Sequence, residues 1–110
     1  MAPKRYFDLY PPECIELPPQ QPGWTPTFTK REHQEMVSHY YAATTFVDTQ
    51  VGKVLNALGR LDLKQNTIAV LFGDHGNGLG ERDSFFAKGN LWKRSLRTPI
   101  EDSETGARGR

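Results

Sequence analysis

Residues 30–58 constrain this chain more than any other stretch. Apolar or aromatic side chains, with Thr44 among them, recur at Val37, Tyr40, Tyr41, Thr44, Val47, Val51, Val54, Leu55 and Leu58. Their spacing of three and four marks one face of a helix. Thr29 and Glu32 fit the N-cap and N3 positions of a capping box. Gly59 is placed to end the helix as its C′ residue, so the helical unit spans residues 30–59. From 30 to 58 it would measure roughly 43 Å. A compact chain of 110 residues has a radius of gyration of about 13 Å, hence a diameter in the mid-thirties of ångströms. Unless it kinks, the helix overshoots any domain this chain could close around it. Gly52, inside the helix, costs roughly 1 kcal/mol against alanine and predicts close approach of a neighbouring element. His33 and His39 read as surface or partly packed residues, and Asp48 and Gln50 as solvated positions off the stripe.

After the helix comes a short apolar run, Thr-Ile-Ala-Val-Leu-Phe at 67–72. It reads as a buried strand. Helix followed by strand is half of a β-α-β unit. The strand runs directly into a polar, glycine-rich stretch, residues 73–88, with Gly73, Gly76, Gly78 and Gly80. Open α/β sheets bind ligands at the carboxyl ends of their strands. Asp74 and His75 stand there, an oxygen ligand beside a nitrogen ligand. Asp74 suits a hard cation such as Ca²⁺ or Mg²⁺, and His75 could ligate or donate to an anion. Lys88 could place a point charge on a sulfate or phosphate oxygen. Asp-His-Gly alone is equally the signature of a strand-end turn with a structural aspartate.

The remaining sequence narrows the class. Seven of the eight prolines lie in residues 1–29, where Pro11-Pro12 and Pro18-Pro19 favour extended backbone. Tyr6, Phe7, Tyr10, Trp24 and Phe28 punctuate this segment, which reads as a strap whose aromatics dock on a core built elsewhere. A formal net charge of +1 carries no bias toward nucleic acid or membrane surfaces, and neither is expected as a partner. No apolar run approaches the roughly 18 residues of a membrane span. Met-Ala-Pro-Lys-Arg-Tyr lacks the apolar stretch of a signal peptide. Cys14, the single cysteine, allows no intrachain disulfide and no cysteine-rich zinc site.

Several ordered blocks resemble the sulfatases of the alkaline phosphatase superfamily, the iduronate-2-sulfatase type most. They are Ala-Pro-Lys-Arg-Tyr-Phe-Asp-Leu-Tyr at 2–10, Ile-Glu-Leu-Pro at 15–18 and Tyr-Ala-Ala-Thr-Thr-Phe-Val-Asp-Thr-Gln-Val-Gly-Lys-Val-Leu at 41–55. Asn-Thr-Ile at 66–68, Asp-His-Gly at 74–76, Leu-Gly-Glu at 79–81, Ala-Lys at 87–88 and Arg-Thr-Pro at 97–99 complete the series. The resemblance implies an α/β fold, a mixed or largely parallel sheet flanked by helices. It implies hydrolysis of a sulfuric ester, on a sulfated sugar or similar ester. Asp74 and His75 match the family's second pair of calcium ligands, and Lys88 matches the lysine that contacts the substrate sulfate. In such enzymes a cysteine in Cys-x-Pro-Ser-Arg becomes formylglycine, whose hydrate attacks sulfur. The family is often secreted, periplasmic or lysosomal.

The chain also departs from that pattern. Cys14 stands in Glu-Cys-Ile-Glu, so no residue of this chain matches the nucleophile. The early aspartate pair of the calcium site has no counterpart. Arg82 stands where the family usually has histidine, and one extra residue separates His75 from Lys88. Residues 101–110 are polar and read as a disordered tail. The expectation is therefore an interior part of a sulfatase catalytic domain in residues 1–100, inactive by itself. Two alternatives stay open: another metal-dependent phosphatase or phosphodiesterase of the superfamily, and a non-enzymatic interaction fragment.

Overall fold

A computed structural model describes residues 2–19, 27–80, 98 and 100–103. Two α-helices, α1 (Lys4–Phe7) and α2 (Lys30–Arg60), and two strands, β1 (Ala69–Phe72) and β2 (Ile100–Ser103), make up its regular structure, with 3-10 turns at Pro12–Cys14 and Lys64–Asn66. Helix α2 has 31 residues, about 46 Å of rise. The radius of gyration is 18.2 Å and the longest extent 60 Å, well beyond the roughly 13 Å of a compact chain this size. The fold is one long helix carrying other pieces, as the helical periodicity requires.

The start of α2 follows from local chemistry. The Glu32 amide donates to the Thr29 hydroxyl at 3.3 Å, and the Thr29 amide donates to the Glu32 carboxylate at 2.8 Å. Two amides that the helix itself cannot satisfy are thereby paired. Hydrogen bonds from the Thr29 hydroxyl and backbone hold the Glu32 carboxyl below its ordinary range. A depressed carboxylate stabilises the fold above its unfolded pKa and loses that contribution as pH falls through the folded value.

The end of α2 differs from the expectation at Gly59. The helix continues to Arg60, with Leu61 as C-cap. Asp62 takes the left-handed conformation at φ 54. The Leu63 amide donates to the Leu58 carbonyl at 3.0 Å and the Asp62 amide to the Gly59 carbonyl at 3.2 Å. This pair of bonds is a Schellman motif with aspartate at C′. An L-residue pays a steric cost there that glycine avoids. Asp62→Gly is expected to raise stability by about 1 kcal/mol, read as a higher melting midpoint of the helical circular dichroism. An unchanged or lower midpoint would contradict it. Gly52 is also corrected: nothing lies within 4 Å of where its Cβ would be, so no close approach explains it among the described residues.

Four side chains along the middle of α2 bond back to their own helix. The Thr44, Thr45 and Thr49 hydroxyls donate to the carbonyls of Tyr40, Tyr41 and Thr45 at 2.9 to 3.0 Å. The Gln50 side-chain amide donates to the Phe46 carbonyl at 3.2 Å.

The proline-rich strap is only partly extended. Pro3 is the N-cap of α1, and Pro12 opens the first 3-10 turn. Proline suits both places because its fixed φ is helix-compatible and an N-terminal amide has no partner to lose. The strap lies on the first half of α2. Tyr6 meets Phe46 edge-on at 5.3 Å, Phe7 meets His39 at 4.7 Å and Tyr10 meets Tyr41 at 5.6 Å. Ser38 donates to the Tyr10 carbonyl at 2.6 Å, and Gln34 donates to the Ile15 carbonyl at 3.0 Å. Tyr6, Ile15, Val37 and Ala42 are the buried apolar residues of this seam. Trp24 lies outside the described residues.

The strand is shorter and more exposed than its apolar sequence predicts. β1 begins at Ala69, and Ile68, Val70, Leu71 and Phe72 are all exposed. A strand is buried by layers packed on its faces, and no described element covers these side chains. β1 pairs antiparallel with β2, Ala69 opposite Ser103 and Phe72 opposite Ile100. Residues 101–103 are thus strand rather than the start of a disordered tail; residues 104–110 lie outside the described set. Among the described residues, no helix is long and apolar enough to cross a membrane.

Candidate functional site

β1 ends at Phe72, and the next residues turn away from it. Asp74 and His75 follow immediately, so the strand end brings the two predicted ligands together. The His75 amide donates to Asp74 Oδ1 at 3.0 Å, which turns the carboxylate back over the loop. The His75 ring bonds through Nδ1 to the Gly76 carbonyl at 2.9 Å. A carbonyl only accepts, so Nδ1 carries the proton. In the neutral ring Nε2 then holds a lone pair.

Nε2 stands 3.6 Å from Asp74 Oδ1. Two ligand atoms, each about 2.4 Å from one ion and at right angles, stand roughly 3.4 Å apart. The spacing of Oδ1 and Nε2 therefore suits a single divalent cation. A backbone carbonyl holding the far side of a histidine ring is also the usual way a ligating imidazole is oriented. The Asp74 side chain is 83% exposed and that of His75 29%, so both remain accessible. The set is incomplete: no group of three or more His, Cys, Asp or Glu converges on one point among the described residues. Lys88, the expected anion contact, lies outside the described residues.

The glycines of the loop have different tasks. Gly78 is buried, and Gly80 sits at φ 103, where a side chain would be strained. Between them Leu79 presents its carbonyl to α2. Nε2 of His33 lies 2.6 Å from it. His33 is partly packed, as expected of it, but its partner 46 residues downstream is not written in the sequence, because a lone histidine on a helix carries no pattern pointing there.

Comparisons with known proteins point to one family. A family model described as Sulfatase matches residues 10–100. A protein named Sulfatase from Formosa agariphila is 34% identical over 119 residues, covering 90% of this chain and 23% of its own length. An Ulvan-active sulfatase of the same organism is 37% identical over 100 residues, covering 90% and 19%. Iduronate 2-sulfatase from Mus musculus is 30% identical over 126 residues, covering 89% and 23%. The chain spans about a fifth of the length of these curated relatives.

Proposed function

Because the chain belongs to the sulfatase family, we propose that it supplies the second half of the metal site and the sulfate-contacting lysine of a sulfuric ester hydrolase. The observation that carries this reading is the pairing of Asp74 Oδ1 with Nε2 of His75, inside the stretch that matches the family. Calcium is the cation proposed. Asp74 would hold it through a carboxylate oxygen and His75 through Nε2. Calcium takes six to eight ligands, so the remainder belong to residues other than these two. A bound cation supplies positive charge opposite the negative charge that develops on the sulfuryl oxygens. Asp74 orients the site by accepting the His75 amide. Gly76 fixes the histidine tautomer. Lys88 is proposed to set an ammonium against a sulfate oxygen.

The substrate class proposed is a sulfated saccharide, with the iduronate-2-sulfatase type as the specific reading. Support comes from the blocks at 41–55 and 74–76 and from relatives named Ulvan-active sulfatase and Iduronate 2-sulfatase. The fold proposed for the whole domain is α/β, a mixed or largely parallel sheet in which β1 is one strand and helices cover both faces. That arrangement would bury the side chains of β1 that are exposed here.

A chimera tests the reading. Residues 10–100 replace the matching segment of the Formosa agariphila Ulvan-active sulfatase, and sulfate release from ulvan is measured. The chimera is expected to hydrolyse the ester. Asp74→Ala, His75→Ala and Lys88→Ala should each lower kcat by about 100-fold or more. A folded, calcium-binding chimera that releases no sulfate, or is indifferent to these substitutions, would overturn the proposal. Preference for phosphate esters would move the phosphatase alternative ahead.

A further inference from the structure

We infer that His33 is a positioning residue for the Asp74–His75 pair, acting through the Leu79 carbonyl. The inference rests on the metal-site reading above but extends it to a helix residue outside the strand-end loop.

The argument starts from the loop. Between residues 73 and 80 every second or third residue is glycine, so the backbone has more conformations to lose than most segments of its length. The bonds that shape the Asp74–Gly76 corner are internal to it. They set the corner's form but not its place against the rest of the molecule. His33 adds that placement. Its Nε2 is 2.6 Å from the Leu79 carbonyl, four residues past the metal-ligand candidate His75 and beside Gly80 at φ 103. The carbonyl only accepts, so His33 donates.

His33 is itself rigidly held. Its amide donates to the Thr29 carbonyl at 3.0 Å, within the turn that the capping box closes. Its neighbour Gln34 is buried and tied to Ile15. The first turn of α2 is therefore fixed at its cap and against the strap, and His33 transmits that fixed point to the loop. Glycine-rich loops that present ligands need such an anchor, because small displacements of a ligand weaken a site sharply.

Deuterium uptake of the full chain tests this, with peptides covering 73–80 and 4–15 followed against calcium concentration. His33→Leu removes the donor. It should speed exchange in 73–80 about five-fold, the value of one ordinary hydrogen bond, and raise the calcium concentration needed for protection by a similar factor. His33→Gln carries an amide nitrogen near the position of Nε2 and should restore both. The 4–15 peptide should not change in either variant, which separates positioning from general loss of structure. Unchanged exchange in 73–80 for His33→Leu, or no rescue by His33→Gln, would overturn the inference. If calcium protects nothing in the wild-type chain, as two ligands of a larger set allow, while His33→Leu still speeds exchange in 73–80, the positioning of the loop by His33 stands. If calcium protects 73–80 and His33→Leu leaves that protection unchanged, the metal reading stands and the positioning role fails.

Discussion

Val37→Asp is expected to detach the strap from α2 while leaving the helix formed. Val37 is 2% exposed and sits between Gln34, Ser38 and Ala42, all buried on one face. α1 and the first 3-10 turn pack on that face. The contact is small. Its buried apolar residues are Tyr6, Ile15, Val37 and Ala42, of which the larger contribute about 1.5–3 kcal/mol each. Holding the strap in one conformation costs roughly 1–2 kcal/mol per residue. Such a seam cannot absorb an unpaired carboxylate, whose burial costs several kcal/mol. The loss should exceed about 3 kcal/mol, and the strap would leave rather than bury the charge. Hydrogen exchange in residues 4–15 should approach that of an unfolded peptide. Far-ultraviolet circular dichroism should keep its helical signal, because the capping box and the Schellman motif are untouched. Retained protection in residues 4–15 would show that something other than this seam holds the strap.

The second large effect concerns β1. The wild-type chain is expected to self-associate, and Ile68→Thr/Val70→Thr/Phe72→Thr to abolish most of that association. The three side chains are 74%, 59% and 69% exposed and alternate along one face. They form a contiguous apolar surface of the kind that drives association, and Leu71 exposes further apolar area on the opposite face. Among the described residues β1 is hydrogen-bonded to β2 on one side, and an edge left open in a two-stranded sheet can template pairing. Threonine preserves β propensity while removing apolar area. Sedimentation velocity should show concentration-dependent oligomers for the wild type and a shift of the onset to at least about ten-fold higher concentration for the variant. A wild-type chain that stays monomeric at high micromolar concentration would overturn this. It would also favour the interaction-module alternative, since such a chain would be stable by itself.

Features set by residues close in sequence were legible. The capping box needs Thr29 and Glu32 three residues apart, and it formed as read. The stripe from Val37 to Leu58 foretold a helix too long for a compact chain. The end of that helix was not legible from Gly59, because helix termination depends on which residue can take a left-handed conformation, and Asp62 does. The strap's prolines were read as extended backbone, yet proline fits a helix start as well as it fits polyproline. Burial of β1 was inferred from apolar side chains, but burial is a property of the layers packed on a strand. Asp74 and His75 stand out in the sequence because they are adjacent and follow a strand end; their role as metal ligands is a proposal. The partner of His33 was not legible because it is a backbone carbonyl far along the chain, and no residue type at position 79 advertises it.

The back-bonded threonines of α2 bear on where this helix can live. A threonine whose hydroxyl is spent on its own backbone turns its methyl outward. Thr44 therefore behaves toward a neighbour more like valine than like a hydrated alcohol, whereas Thr45 also bonds the Tyr10 hydroxyl at 2.6 Å and Thr49 the Tyr6 hydroxyl. Gln50 has satisfied part of its amide in the same way. The middle of α2 is greasier than its letters. It can pass from water into a dry interior without surrendering hydrogen bonds, since those bonds travel with it. On the face that carries Thr44, exposure to water is tolerated rather than required, while Asp48 and Lys53 keep another part of the helix turned to solvent.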